Sequence, residues 1–444
     1  MPRDLSRRSF LKHVSAAGLA MPLILPRLSL AAPPSGRLQH AAIGVGGQGA
    51  SDLENIVASG KVDVYALCDI DERTLQKAAK RYPGARLYRD WREMLEKEEK
   101  NVDSVNVSTP DHMHAAPAMT AIRKGKHVFC EKPLTHEVYE ARKLTLAARE
   151  KGVATQMGIQ IHSHEFYRTA VHWLKAGAIG KVTAWHSWSA AVYTMDDKKR
   201  PAGADPVPEH VAWDLWLGVA PKRPYKKDIY HPFKWRCWRD FGGGATGDFG
   251  CHIFDPVFTA LEIGAPLSIV SETECVSDEV HPGWSIARYV FPGAALTAGK
   301  TIEAVWMDGG KMPAPGVSPH VPADRELPPS GSLVIGEEGT LLIPHVGPPK
   351  LFPEEKFKDY PKPELAPLDH YHEFVEAALG NGKPGANFDF AGPLTEAVLL
   401  GNIANRFPGE TLEWNAEKLK FTNHRKASDL LRRRYRGGWR VRGL

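Results

Sequence analysis

A chain of 444 residues, 43% hydrophobic and 25% charged, is long enough for two domains and too ordinary in composition for a disordered or integral membrane protein. Its formal net charge of +5 sits at the ends: residues 1–31 carry five Lys and Arg against one Asp, and residues 425–444 carry eight against one. The body between is mildly acidic, which argues against nucleic-acid binding and makes Arg432-Arg433-Arg434-Tyr435-Arg436 a solvated or self-docking basic tail.

Ser6-Arg7-Arg8-Ser9-Phe10-Leu11-Lys12, the apolar run Val14–Leu25 and Ser29-Leu30-Ala31 spell a twin-arginine export signal over residues 1–31. The apolar run is too short and too interrupted by Gly and Pro for a stable membrane span. The expectation is a bacterial precursor exported folded by the twin-arginine machinery, working in the periplasm or otherwise outside the cytoplasm. Five cysteines, Cys68, Cys130, Cys237, Cys251 and Cys275, are odd in number and lack a C-x-x-C pair. They read as buried thiols.

Residues 37–160 read as a dinucleotide-binding domain. Leu38–Val45 is a strand, Gly44-Val45-Gly46-Gly47-Gln48-Gly49 a glycine turn opening a helix, Val62–Leu67 a second strand, and Asp69 follows it. This context gives the G-x-G-x-x-G pattern its weight: glycines turn the chain and admit a pyrophosphate at the helix N-terminus, and the acid accepts a ribose diol. Asp69 favours NAD; Arg73, four residues on, keeps NADP open. The alternation continues with Leu75–Arg81, Val102–Val107, Pro117–Lys124, His127–Cys130, Tyr139–Lys151 and Val153–Gly158, giving a doubly wound parallel α/β sheet. From residue 161 to 424 the pattern changes to longer strands at Lys181–Ala191, Leu267–Val276, Ile286–Phe291, Ile302–Met307 and Ser332–Ile343, then helices at Tyr371–Leu379 and Leu394–Asn405. That predicts an α+β domain with a large open, mainly antiparallel sheet, with long loops at 308–331 and 344–368. Residues 425–444 are left as the basic tail.

The chain resembles the glucose–fructose oxidoreductase / inositol dehydrogenase (Gfo/Idh/MocA) family in Gly44–Gly49, in Ser108-Thr109-Pro110 with His114, in Glu131-Lys132-Pro133, and in Gly244-Ala245-Thr246-Gly247-Asp248-Phe249-Gly250-Cys251-His252. The resemblance implies a catalytic set of Lys132, Asp248 and His252. The residue chemistry agrees. Oxidising an alcohol needs a cation against the developing alkoxide and a base for the hydroxyl proton. Asp248 and His252 are four apart on one helical face, His252 has the ordinary pKa of a proton acceptor, and Lys132 can lower the pKa of the reacting oxygen. Taken singly, Asp248 reads as a helix N-cap, His252 as a structural histidine and Lys132 as a surface lysine; together beside a nucleotide fold they read as a site. Gly44, Gly46, Gly47, Gln48, Gly49, Asp69, Thr109, Pro110, His114, Glu131 and Lys132 are the expected cofactor contacts. Gln160, Trp235 and Arg236 are the substrate candidates, the last two within a tryptophan-rich stretch (Trp213, Trp216, Trp235, Trp238) suited to stacking on a sugar. The H-x-H pairs His112/His114 and His162/His164 lack matching ligands, so no metal site is expected.

These readings combine into an exported NAD(P)-dependent oxidoreductase acting on a sugar, sugar derivative or polyol. Without a nicotinamide pool outside the cytoplasm, its cofactor has to be tightly bound and restored in place. A glycosidase that oxidises, eliminates, hydrates and re-reduces satisfies the same constraint. A non-catalytic sugar sensor would lack Lys132 or His252, and both are present. An open sheet with an uncovered face predicts a homodimer or homotetramer.

Overall fold

Short apolar runs broken by glycine turns build the first unit, and the computed structural model, which describes residues 35–444, arranges them as an open sheet. In chain order they are β1 (Leu38–Ile43), α1 (Gln48–Ala58), β2 (Val62–Cys68), α2 (Glu72–Arg81), β3 (Arg86–Tyr88), α3 (Trp91–Lys97), β4 (Ser104–Val107), α4 (Ala115–Arg123), β5 (His127–Glu131), α5 (Val138–Lys151) and β6 (Thr155–Gly158). The six strands are parallel in the order β3-β2-β1-β4-β5-β6. Ile43 lies opposite both Cys68 and Val107, so β1, β2 and β4 end at one level. Their following residues, Gly44, Asp69 and Ser108, therefore meet where the winding reverses, the place at which such sheets bind ligands. The export signal read in residues 1–31 lies outside the described residues.

The second unit begins with α6 (Glu165–Lys175), a stretch to which the sequence pattern assigned no element. Its helix signal was present: Tyr167, Ala170 and Leu174, at helical spacing, are buried, and the His164 side chain caps it. β7 (Val182–Ser189), α7 (Trp213–Leu217), α8 (Gly244–Leu261), β8 (Ser268–Thr273), β9 (Ser285–Pro292), β10 (Thr301–Met307), β11 (Ser330–Gly336), β12 (Thr340–Pro344), β13 (Lys350–Phe352), α9 (Glu354–Phe357), α10 (His370–Ala378), α11 (Phe388–Ala404), β14 (Leu412–Asn415), β15 (Lys420–Phe421) and α12 (Arg425–Asp429) follow. Nine strands form a mixed sheet, β13-β12-β11-β7-β10-β9-β8-β14-β15, antiparallel except where β7 runs parallel to β10. The single strand expected at Ser332–Ile343 is a hairpin, because Gly336 N–H bonds the Gly339 carbonyl at 2.8 Å and turns the chain.

α8 lies against the inner face of this sheet. Phe254 of α8 packs onto Trp185, Tyr289 and Trp306 of the sheet, with Phe291 beside them; all are at most 1% exposed, each contributing on the order of a few kcal/mol of transfer free energy. α10 then returns to the first unit: Tyr371, Phe374 and Val375 share a core with Leu38, Ile56, Val62 and Phe129. α11 packs against α5 and α8. Residues 425–444 also dock. The Leu431 carbonyl accepts from Tyr139 N–H at 3.0 Å, Arg433 pairs with Glu137 at 2.8 Å, and Trp439 is 5% exposed. All five cysteines are unpaired, four of them buried. Among the described residues no helix is long and apolar enough to cross a membrane.

Candidate active site

A cleft of about 670 Å³ runs from the winding reversal toward α8. Its first end is built for an anionic diphosphate. A Cβ on Gly44 would fall 2.3 Å from the Ser108 carbonyl oxygen, and one on Gly49 would fall 2.1 Å from that of Gly44; only glycines let the turn, α1 and β4 approach so closely. α1 starts without a side-chain cap and without an acid in its first turn; the Gly49 and Ala50 N–H groups turn back to the Gly46 and Gly47 carbonyls at 3.0 and 3.2 Å, and the partial positive charge of the helix start is left for a ligand. Gly44, Gly46, Gly47, Gln48, Gly49, Asp69, Thr109 and Pro110 all line the cleft. Thr109 Oγ1 is buried and has no partner, a polar atom awaiting a polar ligand. Asp69 is fixed by the Val45 and Asp71 amides at 3.0 and 2.9 Å, and Asp71 and Asp90 stand beside it in the cleft. Arg73 does not line the cleft: it folds back on Asp71 at 3.4 Å.

At the other end β5 delivers Glu131-Lys132. Lys132 Nζ donates to Asp248 Oδ1 at 2.6 Å and to the Asp248 carbonyl at 3.0 Å. Arg236 Nε stands 3.6 Å from the same carboxylate. Burial alone would raise the Asp248 carboxyl, but Lys132 and Arg236 outweigh it and hold it at about 2. Burial likewise works against the Lys132 charge, and Asp248 and Glu131 overcome it and raise its pKa. Glu131 accepts from Gln160 Nε2 at 2.8 Å. It lies beside buried Asp52, which is held by Ser108, Gln48 and Tyr371 at 2.7, 2.8 and 3.0 Å. Burial first, then Asp52, pushes the Glu131 carboxyl well up, so it keeps its proton more readily than an ordinary glutamate.

Asp248 is the fifth residue of α8, whose N-cap is Gly243; the capping role does not apply. His252, one turn later, lines the same cleft. Its ring centroid lies 5.2 Å from that of His345, and its Nδ1 is buried without a partner. Burial, then Lys132 and His345, push its pKa well below 6.5. The expected ordinary pKa of His252 does not hold in this setting, where burial disfavours the protonated ring. A second titratable group in the cleft is Asp111, which the motifs did not single out. It is 2% exposed, lines the cleft and accepts the Gly243 N–H at 2.9 Å. Burial, then Asp248, raise it to about 7 against the opposing effect of Arg236.

His114 is a second correction. It does not line the cleft; its ring nitrogens lie 2.8 Å from the Pro133 carbonyl and 2.7 Å from that of Thr109, so it ties the two cleft walls together. Most of the tryptophan stretch is also structural. Trp213 and Trp216 stack at 4.6 Å within a satellite core that includes Trp238. Trp216 and Trp235, members of the same core, also line the cleft, and the Arg236 guanidinium lies over the Trp235 ring at 4.2 Å. His112 faces the Trp216 and Phe241 carbonyls, and His162 pairs with Asp255 at 2.8 Å. Among the described residues no three or more His, Cys, Asp and Glu are gathered around a common point. Besides Asp111, the sequence reading missed Asp71, Tyr193 beside Asp248, His345 and Trp439. The Asp-His pattern after Thr109-Pro110 was the one available signal, for Asp111.

Residues 38–159 match a family profile described as oxidoreductase family, NAD-binding Rossmann fold, and residues 171–292 its C-terminal alpha/beta domain. A levoglucosan dehydrogenase of Pseudarthrobacter phenanthrenivorans is 24% identical over 40% of this chain and 37% of its own. Glycosyl hydrolase family 109 protein 2 of Bacteroides fragilis is 29% identical over 39% and 43%. The matched stretch thus spans less than half of these curated relatives. The WlbA dehydrogenase of Bordetella pertussis, solved in complex with NADH and UDP-GlcNAcA, superposes over 85% of this chain and 99% of its own, with a TM-score of 0.60 at 17% identity; it shares the fold.

Proposed function

This chain belongs to the Gfo/Idh/MocA oxidoreductase family, and from that premise we propose that it is an exported enzyme that oxidises a sugar, sugar derivative or polyol with a tightly held NAD. The observation that carries the reading is the 2.6 Å Lys132–Asp248 pair closing a cleft whose other end is a glycine turn and an uncapped helix.

When bound, NAD supplies the acceptor for the hydride leaving the substrate carbon. Lys132, kept charged chiefly by Asp248, faces the reacting hydroxyl oxygen and stabilises negative charge there. The hydroxyl proton passes to Asp111, whose pKa of about 7 suits acceptance at neutral pH. Neutral His252 orients the hydroxyl, and Arg236 holds a neighbouring one. Asp69, Asp71 and Asp90 oppose a 2′-phosphate and favour NAD over NADP. The export signal read in residues 1–31 supports work outside the cytoplasm, where a two-substrate cycle, one sugar oxidised and a second reduced, restores the cofactor in place.

A second reading, the glycosidase that recycles NAD, is favoured by the likeness to a family 109 hydrolase and by Tyr193 and His345 near the site, which could take a proton from the carbon beside a transient ketone. A reaction in heavy water with a reactive glycoside and no second sugar separates them. The oxidoreductase stalls after one turnover with reduced cofactor and a keto-sugar, and resumes when an acceptor sugar is added. Repeated turnover to a free sugar deuterated at C2 would replace the first reading by the second.

A further inference from the structure

Beyond the cleft, the residues leading into α5 and α8 and the end of α11 wall a separate cavity of about 210 Å³. That is far above the roughly 10–15 Å³ one water needs and below the usual size of a cofactor pocket. Arg239 enters it with its charge unmatched. Its Nε donates to the Ser277 and Val280 carbonyls at 2.8 and 3.2 Å, while Nη2 is buried without a partner. Among the described residues Arg239 makes no ion pair. Arg406, on the same wall, pairs through Nη2 with the exposed Asp278 and leaves Nε buried and unpartnered. The wall also carries four carboxylates, Glu137, Asp240, Asp278 and Asp429; the first three are taken by Arg433, Arg223 and Arg406.

A guanidinium does not shed its proton, and a buried charge without a counter-charge is costly. The cavity offers the space for the missing one. We propose that it binds a small tetrahedral oxyanion, phosphate or sulfate, held by Arg239 and Arg406. Burial, then Arg406, depress the Arg239 pKa to about 9 against the opposing effect of Asp278, and an anion between the two guanidinium groups offsets their repulsion. The site is wired to the cleft. Gly243 lines the cavity, its N–H holds Asp111 at 2.9 Å, and its carbonyl takes Asn402 Nδ2, also on the cavity wall, at 2.7 Å. An anion that shifts this peptide alters Asp111, and by linkage occupancy of the cleft alters anion affinity. The inference goes beyond the redox reading and does not depend on it.

The test titrates the full-length protein with inorganic phosphate, and separately sulfate, by calorimetry, alongside Arg239→Met. One saturable site per chain is expected, weakened at least about tenfold in the variant, as for loss of a charge-assisted pair. In anion-free buffer Arg239→Met should melt at or above the wild type, and phosphate should raise the melting temperature of the wild type more than that of the variant. Phosphate acting as a general stabiliser, or seated in the glycine turn, raises both alike; equal responses, or no saturable binding, overturn the proposal. Selenate diffused into wild-type crystals gives a readout independent of the variant's folding: anomalous density within hydrogen-bond reach of Arg239 Nη2 supports the site, and none there refutes it.

Discussion

Replacing Asp111 by Asn removes a titration while keeping shape, since the amide oxygen can still accept the Gly243 N–H now 2.9 Å from the carboxylate. If Asp111 is the proton acceptor, kcat/KM of the wild type rises with pH through about 7. At two units below its pKa only about one molecule in a hundred carries the base, so activity near pH 5 should be roughly 100-fold below the alkaline plateau. In Asp111→Asn that limb should vanish and the plateau drop by about 10²–10⁴. His252, pushed well below 6.5, contributes no limb near neutrality. Stability moves the opposite way. The folded carboxyl titrates near 7 against an ordinary 3.8, so the protonated form stabilises the fold below pH 4, and that contribution is lost as pH rises toward 7. Three units correspond to roughly 4 kcal/mol, and Asn escapes most of the loss. Thermal melts should therefore place the inactive variant level with the wild type at pH 4 and above it at pH 8. An unchanged acid limb in Asp111→Asn, or a variant less stable at pH 8, would refute the assignment.

Lys132→Ala leaves Arg236, at 3.6 Å, as the cation paired with Asp248. Turnover should fall by about 10²–10⁴ and stability by up to roughly 3–5 kcal/mol, while the nucleotide released on denaturation stays at the wild-type amount; loss of nucleotide would move Lys132 to cofactor binding. Protein purified without added nucleotide should release near-stoichiometric NAD when denatured, and an empty protein with millimolar affinity would end the retained-cofactor reading. Asp71→Ser keeps a hydroxyl to cap α2 but removes one acid and frees Arg73, now 3.4 Å from that carboxylate. NADP affinity should improve by about tenfold or more in equilibrium titration, and no change would locate the discrimination elsewhere.

The dinucleotide half was legible because its signals are local. An apolar strand, a glycine turn, a helix and an acid follow one another between Leu38 and Asp69, and each constrains the backbone on its own. The Lys132, Asp248 and His252 cluster was legible by motif and helical spacing. The basicity of its members was not, since that depends on neighbours distant in sequence: Asp111 is tuned by Asp248 and Arg236, and His252 by Lys132 and His345. His114 misled because a histidine beside Thr109-Pro110 looks like a ligand contact, whereas two carbonyls claim its ring. The hairpin at Gly336–Gly339 was hidden within one apolar stretch. The tryptophans of 213–238 carry the same composition whether they face a sugar or one another; only packing separates Trp235 from Trp213 and Trp238.

The return of α10 onto Leu38, Ile56, Val62 and Phe129 bears on modularity. The nucleotide-binding half is not a cassette that can be cut at residue 160 and transplanted: excised alone, it would leave that apolar face wet and prone to aggregate. The chain crosses between the two halves on the way out and again on the way back, so their relative motion is tethered at two places. Inheritance of new substrate preferences along this architecture is therefore easier by exchange of loops around the cleft than by reshuffling whole halves, because any recombinant has to preserve the pairing between the first strands and a helix more than 300 residues downstream.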